Sequence, residues 1–359
     1  MNTALCFNDV LPYDDRPEAL VERDGKFFVR LMEKGASSVQ MLFAETLYDF
    51  TETEDGIWEL EVPFDTAFNC VQIRVDGRDT LTPLLPISYG YSRPYNYVEL
   101  PAADSEFYEL RDVPHGAVRR EYFFSKVTGE WESCLVYTPA EYDENPDKIY
   151  PVLYLQHGHG ENENGWMYSG RANFIMDNLI SEKRSVPFVI VANNGMVQKD
   201  HVVDFLLFEP MLMEDVIPFI EEKYHAGRSK KNRGVAGLSM GSMQASMIAF
   251  RHPEMFSEVG VFSGFIRDWI SGSELDMSNH EPSDNSHLKI FDDSAAFNTC
   301  FKTFFRAIGD QDPFMEHFLG DDKICADHGI HFFRKVYNGT HDWNVWRMCL
   351  YDFAQMIFK

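Results

Sequence analysis

Long apolar runs are missing from these 359 residues. None approaches the roughly 18 consecutive apolar residues of a membrane-spanning helix, so no membrane partner is expected. Positive charge is scarce as well: 32 Lys and Arg stand against 57 Asp and Glu, a formal charge of -25. Sequence-independent nucleic-acid binding rests on basic patches, and this balance argues against it. The six cysteines, Cys6, Cys70, Cys134, Cys300, Cys325 and Cys349, include no C-x-x-C pair. They read as free packing thiols in a reducing compartment, not as a disulfide framework or an activated nucleophile. The start, Met1-Asn2-Thr3-Ala4-Leu5-Cys6, lacks a basic region followed by an apolar core. No signal peptide is read there, so a cytoplasmic location is the expectation, with secretion left open because a trimmed leader would look the same. No internal repeat or low-complexity tract is present.

What is there divides in two. Residues 1–103 carry short β-rich runs: Lys26 to Leu31, Ser38 to Phe43, Ile57 to Val62 and Val71 to Val75. Asp24-Gly25, Asp55-Gly56 and Asp76-Gly77 punctuate them as turns. Closely spaced short strands with turn signals predict a small all-β sandwich. Residues 83 to 105 are rich in Pro and Tyr and read as a surface linker.

Residues 104–359 have another rhythm. Val118 to Phe124 and Glu130 to Tyr137 read as an antiparallel pair. Near-continuous apolar strands follow at Tyr150 to Gln156, Pro187 to Ala192, Gly234 to Leu238, Val259 to Ser263, Thr303 to Ile308 and Ile330 to Tyr337. Helical spacing recurs at Asn173 to Ile180, through Leu212, Val216, Ile220 and Tyr224, after Ser239, over about 313–328 and after Trp343, with a polar excursion over about 271–297. Strands with helical crossovers predict a mainly parallel sheet covered by helices, an α/β fold.

The chemistry centres on Gly237-Leu238-Ser239-Met240-Gly241. A small apolar strand before it and a helix after it form the context in which Gly-x-Ser-x-Gly presents a nucleophilic serine on a strained turn. A serine hydroxyl needs an imidazole base, itself oriented by a carboxylate. On a sheet of this kind the acid and the histidine follow the serine, on loops after late strands. Gly309-Asp310-Gln311-Asp312 and Asn338-Gly339-Thr340-His341 satisfy that order. His341 is the base, and Asp310 and Asp312 are both candidates for the acid. The developing oxyanion needs donors. The backbone N–H of Met240 is one. His157-Gly158-His159-Gly160 offers the other, with the N–H of His159 assigned and Gly160 next in line. His157-x-His159 lacks a third ligand at convincing spacing, so neither metal nor cofactor is expected. Trp166 and Trp343 follow these motifs and are candidate pocket walls, or core.

Residues 115 to 359 resemble the esterase D-like branch of α/β-hydrolases, which includes feruloyl esterases, enterochelin esterases and mycolyl transferases. The matching stretches are Leu155 to Gly160 followed by Glu163 and Trp166, Asp215 to Glu221, Ala236 to Gly241, and Gly339 to Trp343 with Trp346. The Asp-Gly-x-Trp and Val-Asp-Gly patterns near the N-terminus resemble immunoglobulin-like early-set domains related to carbohydrate-binding modules. Such a domain is expected to pack rather than to bind sugar. The resemblance implies Ser239 as nucleophile and His341 as base, and it picks Asp312, because the family's loop reads Gly-x-x-Asp. Two positions depart from the pattern: Ser242 stands where a second glycine is usual, and His159 where an apolar residue or glycine is usual. The implied function is a serine carboxylesterase acting on hydroxycinnamoyl (feruloyl-type) or acetyl esters of plant-glycan fragments. Its partner is then a small-molecule or oligosaccharide ester, and its oligomeric state is left open. An enterochelin-type siderophore esterase or an acyltransferase is the alternative on the same fold. A glycan-binding protein on a hydrolase scaffold is the non-enzymatic alternative, against which the intact triad argues.

Overall fold

The computed structural model describes residues 17–90, 92–268 and 284–359. Cys6, Tyr91 and much of the stretch expected to be a polar excursion at 271–297 lie outside them. The chain divides into two compact units, Met1–Ser105 and Glu106–Lys359.

The first unit is built from antiparallel strands: β1 (Leu20–Arg23), β2 (Lys26–Met32), β3 (Val39–Phe43), β4 (Thr46–Asp49), β5 (Thr51–Glu54), β6 (Ile57–Glu61), β7 (Phe68–Val75), β8 (Arg78–Thr80), β9 (Ile87–Gly90) and β10 (Arg93–Glu99). One sheet runs β1-β2-β6-β5 and the other β4-β3-β7-β10-β9, with β8 also on β7. Alternate residues turn inward, so Val29 and Leu31 of β2 share a core with Met41 of β3, Ile73 of β7 and Val98 of β10. The Pro- and Tyr-rich linker is corrected here. Residues 87–99 supply two strands, and Tyr95 and Tyr97 are buried. Pro94 faces only β9, because pairing with β7 begins at Asn96. A proline on a one-sided stretch costs no ladder bond, so proline content misleads at this position. The buried Asn96 amide bonds the Thr82 and Leu85 carbonyls, fastening the preceding turn.

In the second unit, β11 (Ala117–Phe124) and β12 (Trp131–Thr138) form the expected antiparallel pair. Then come β13 (Val152–Gln156), α1 (Gly165–Tyr168), α2 (Ala172–Ser181), β14 (Val189–Asn193), a short hairpin of β15 (Gln198–Lys199) and β16 (Val202–Val203), α3 (Phe208–Met211) and α4 (Ile217–Lys223). A turn of π-helix, Leu212–Val216, joins α3 to α4. After these lie β17 (Arg233–Leu238), α5 (Met240–Arg251), β18 (Glu258–Phe262), α6 (Ser294–Cys300), β19 (Thr303–Gly309), α7 (Met315–Asp327), β20 (Phe333–Tyr337) and α8 (Trp343–Ala354). The sheet order is β11-β12-β14-β13-β17-β18-β19-β20, parallel from β14 onward. The last strand starts at Phe333, so His331 precedes it instead of lying on it. No described helix is long and apolar enough to cross a membrane. Of the described cysteines, Cys134, Cys300, Cys325 and Cys349 are free thiols.

Parallel strands buried on both faces explain the apolar runs. Val152 and Tyr154 of β13 pack with Ile220 and Phe250 on one face. On the other, the Phe262 ring meets Trp166 and Phe353 at 6.1 and 5.6 Å. Because β13, β17, β19 and β20 all point one way, the loops after them open on one edge. At that edge β17 and α5 meet so closely that a Cβ on Gly237 would stand 2.3 Å from the Gly241 carbonyl oxygen. Gly237→Ala therefore forces backbone apart. We expect it to lower stability by about 1–3 kcal/mol, read as an earlier urea midpoint with an unchanged slope.

Candidate active site

Ser239 stands between β17 and α5 with φ 52° and ψ −119°. Four bonds hold this turn. Its N–H donates to the Phe262 carbonyl at 2.9 Å, and its own carbonyl accepts the Ser242 N–H at 3.0 Å. The Ser242 hydroxyl donates to that same carbonyl at 2.5 Å and accepts the Phe265 N–H at 2.9 Å. Ser242 thus ties the turn to the loop after β18. Nothing in a single sequence marks that role, because Phe265 comes from the loop after a different strand.

His341 follows β20, and Asp312 follows β19. The His341 Nδ1–H donates to Asp312 Oδ2 at 2.8 Å, while Asp312 Oδ1 accepts the Phe314 N–H at 2.9 Å. Asp312 is fully buried and His341 is about one-fifth exposed. With Nδ1 committed, the neutral ring carries its lone pair on Nε2. Asp310 is exposed and accepts the Gly339 N–H at 3.0 Å, the work of a turn carboxylate. The structure therefore puts Asp312, and not Asp310, on the imidazole. The rings of Phe314 and Trp346 flank His341 at 5.0 and 5.1 Å.

The loop after β13 lies against Ser239: a Cβ on Gly158 would sit 3.4 Å from the serine Cβ and 2.7 Å from Leu238 Cδ1. Its N–H groups are not equivalent. That of Gly158 donates to Glu161 Oε2 at 2.9 Å, and that of Gly160 reaches Met196 Sδ at 3.5 Å. Among the described residues those of His159 and Met240 have no acceptor. The Met240 N–H opens α5, where no intrahelical partner exists. These two N–H groups thus stand without an acceptor beside Ser239.

Two side chains hold the loop. His157 is buried; its Nδ1–H donates to the Gly158 carbonyl at 2.7 Å and its Nε2 accepts the Gly195 N–H at 2.8 Å. Both nitrogens are committed, and burial pushes the imidazole down to about 4, so the ring is neutral. Glu161 accepts from Gly158 and from the Trp343 side chain, and burial pushes its carboxyl up to about 7. Sequence reasoning missed Glu161. Its position three residues past Gly158 is a signal only once the loop's turn is seen.

Trp166 and Trp343 require a correction as pocket walls. Trp166 is completely buried with its indole N–H on the Gln156 carbonyl at 2.7 Å, and Trp343 is 2% exposed. Their rings meet edge to face at 5.1 Å. They support the loop from below and offer no face to a ligand. Apolar surface beside the site comes from elsewhere: the partly buried Met196, Val203 and Phe314 pack on a buried cluster of Met240, Met243, Met247, Phe205 and Phe265. The His159 ring lies 5.8 Å from Phe205, which places this unusual histidine beside that cluster.

A family model described as "Putative esterase" matches residues 125–355. The chain belongs to this esterase family. Membership makes it a carboxylic ester hydrolase by class. It is similar to an endo-1,4-beta-xylanase/feruloyl esterase of Xylanibacter ruminicola, at 32% identity over 318 residues. That match covers 85% of this chain and 40% of the relative, so the chain spans less than half of that protein. Solved structures give the fold. A ferulic acid esterase of Anaeromyces mucronatus in complex with ferulic acid matches at TM-score 0.61 and 22% identity, over 72% of this chain and 96% of that one. The enterobactin esterase FES of Shigella flexneri matches at TM-score 0.67 and 14% identity, over 97% of both chains. The second unit of this esterase is an α/β-hydrolase fold.

Two predictions follow from the loop. Glu161→Gln replaces an acceptor of two N–H groups by an amide. We expect kcat on any cleaved ester to fall about 10- to 100-fold with KM changed less than about twofold, since donors act on the transition state. His157 ties pH to stability. Unfolded, its imidazole titrates near 6.5; folded, near 4. Between these values the unfolded state binds more protons, so the contribution is full above about 6.5 and is lost as pH falls towards 4. The loss is on the order of 3 kcal/mol. Urea unfolding near pH 7 and near pH 5 should show His157→Asn less stable than wild type at the higher pH, with a shallower acid dependence.

Proposed function

We propose that this esterase is a serine carboxylesterase that cleaves hydroxycinnamoyl, feruloyl-type esters of plant-glycan fragments through Ser239, His341 and Asp312. The Ser239 Oγ attacks the ester carbonyl carbon while His341 Nε2 takes its proton. The oxyanion is received by the N–H groups of His159 and Met240. Collapse breaks the bond to the alcohol oxygen, which leaves with the proton from His341. Water, deprotonated by the same nitrogen, then adds to the acyl-serine and releases the acid and free Ser239.

The observation that carries the substrate reading is the partly exposed apolar surface of Phe314, Met196 and Val203 beside this machinery. Phe314 packs on His341 and on Phe265, whose ring is 5.1 Å away, over the buried side chains of Met240, Met243 and Phe205. A flat aryl acyl group gains from aromatic and thioether surface, whereas an acetyl group has too little area to use it. The feruloyl esterase name of the Xylanibacter relative supports the same direction.

The test is hydrolysis of methyl ferulate, an acetylated xylo-oligosaccharide and a catechol-siderophore ester by wild type and Ser239→Ala. We expect methyl ferulate to be preferred and the variant to lose roughly 10⁴-fold or more in kcat. Equal rates for the two proteins would remove Ser239 as nucleophile. Turnover of the acetyl or siderophore ester alone would keep the triad and overturn the acyl assignment.

A further inference from the structure

An aromatic surface outside the triad remains unexplained. Trp131 is 71% exposed, Tyr122 62% and Phe124 54%. Strand alternation puts all three on one face, since Phe124 pairs with Trp131 and Tyr122 with Ser133. The rings of Phe124 and Trp131 meet edge to face at 5.8 Å. Exposed aromatic surface of this density marks a binding surface more often than a bare flank.

Its position follows from the register. Cys134 of β12, Asn193 of β14, Gln156 of β13 and Gly237 of β17 stand in one row across the sheet. β12 runs antiparallel to β14, so residues before Cys134 extend beyond that row in the same direction as residues after Gly237. Trp131 and Ser239 therefore rise on the same edge. Three strand spacings separate β12 from β17, about 14 Å. The surface is also tied to the oxyanion loop. Arg120, on the same face, bonds Glu163 and Asn164, and the Ser133 hydroxyl donates to Glu163 at 2.7 Å. Glu163 is buried and lies just past Glu161, so the ledge and the loop are joined through one hydrogen-bonded segment.

We propose that Tyr122, Phe124 and Trp131 form a subsite for the neutral sugar chain of the ester, on the alcohol side of the bond cleaved at Ser239. The inference rests on the glycan-ester reading above. Pyranose C–H faces carry partial positive charge and stack on the negative face of an aromatic ring. Arg120 is exposed and Asn164 half-buried, and they supply hydrogen-bonding groups along the margin. A chain of net charge -25 disfavours a polyanionic occupant and is indifferent to a neutral one. Three side chains offer roughly 400 Å², well below the about 800 Å² per partner of a stable protein interface, which sets a second copy aside. The span of about 14 Å is that of a few sugar units, so an acyl group at Ser239 and a sugar chain on the ledge can be held together.

The test compares Trp131→Ala, Tyr122→Ala, their double variant and Trp131→Phe on methyl ferulate and on a feruloylated xylo-oligosaccharide. We expect KM for the oligosaccharide ester to rise about 3- to 10-fold per removed ring, with kcat preserved, Trp131→Phe near wild type and methyl ferulate kinetics unchanged. Equal effects on both esters, or none on either, would overturn the subsite. If wild type cleaves no feruloyl ester, the acyl reading fails, and the ledge is tested separately with unsubstituted xylohexaose. Saturable quenching of tryptophan fluorescence that Trp131→Ala abolishes supports the subsite, and its absence overturns it. A wild-type dimer that Trp131→Ala dissolves would also overturn it, in favour of self-association.

Discussion

Ser239 occupies a backbone conformation that costs a residue with a side chain on the order of 1–3 kcal/mol, and the surrounding structure holds it there. The hold is distributed. β18 supplies the acceptor for its N–H, α5 supplies Ser242 for its carbonyl, and the loop after β18 closes the set through Phe265. Phe262 and Phe265 come from β18 and the loop after it, across the sheet from the chain of Ser239 itself, so the turn exists only in the assembled unit. The consequence is a hydroxyl placed clear of the strand and a helix N-terminus placed beside it, with the free N–H of Met240 at its head.

The same reasoning applies to the second donor. An N–H is available to an oxyanion only if its own loop does not consume it. In the loop after β13 the neighbours of His159 are spoken for by Glu161 and Met196, and His157 pins the loop to Gly195. Trp166 and Trp343 are buried against this loop, Trp166 on the Gln156 carbonyl and Trp343 on the Glu161 carboxyl. A neutral buried histidine and a carboxyl raised by burial are the electrostatic cost of that rigidity. Acid sensitivity and a preformed donor thus have one origin.

Around this polar centre the protein places apolar surface in two separate positions. Phe314, Met196 and Val203, over a buried cluster of Met and Phe, form one, and the exposed rings of β11 and β12, joined through Glu163 to the loop after β13, form the other. An ester has two ends of different chemistry, and under the proposed function each end has its own surface.

The amino-acid sequence by itself determined the strand periodicity, the parallel sheet, the serine on its turn and the two late loops, because each is local: apolar runs, flanking glycines and chain order. It separated the β-rich first part from the rest for the same reason. It misread 83–105, where proline content concealed strands whose partners are distant in sequence. It left Asp310 and Asp312 equal until a family resemblance chose between them; the structure distinguishes them by which carboxylate is buried against the imidazole. Only the tertiary structure decided that Trp166 and Trp343 are buried supports, that Ser242 and Glu161 hold the loops beside Ser239, and that Trp131 shares an edge with Ser239. Those decisions depend on which residues meet across strands, and contact between residues far apart in the chain follows from packing, which no local pattern encodes.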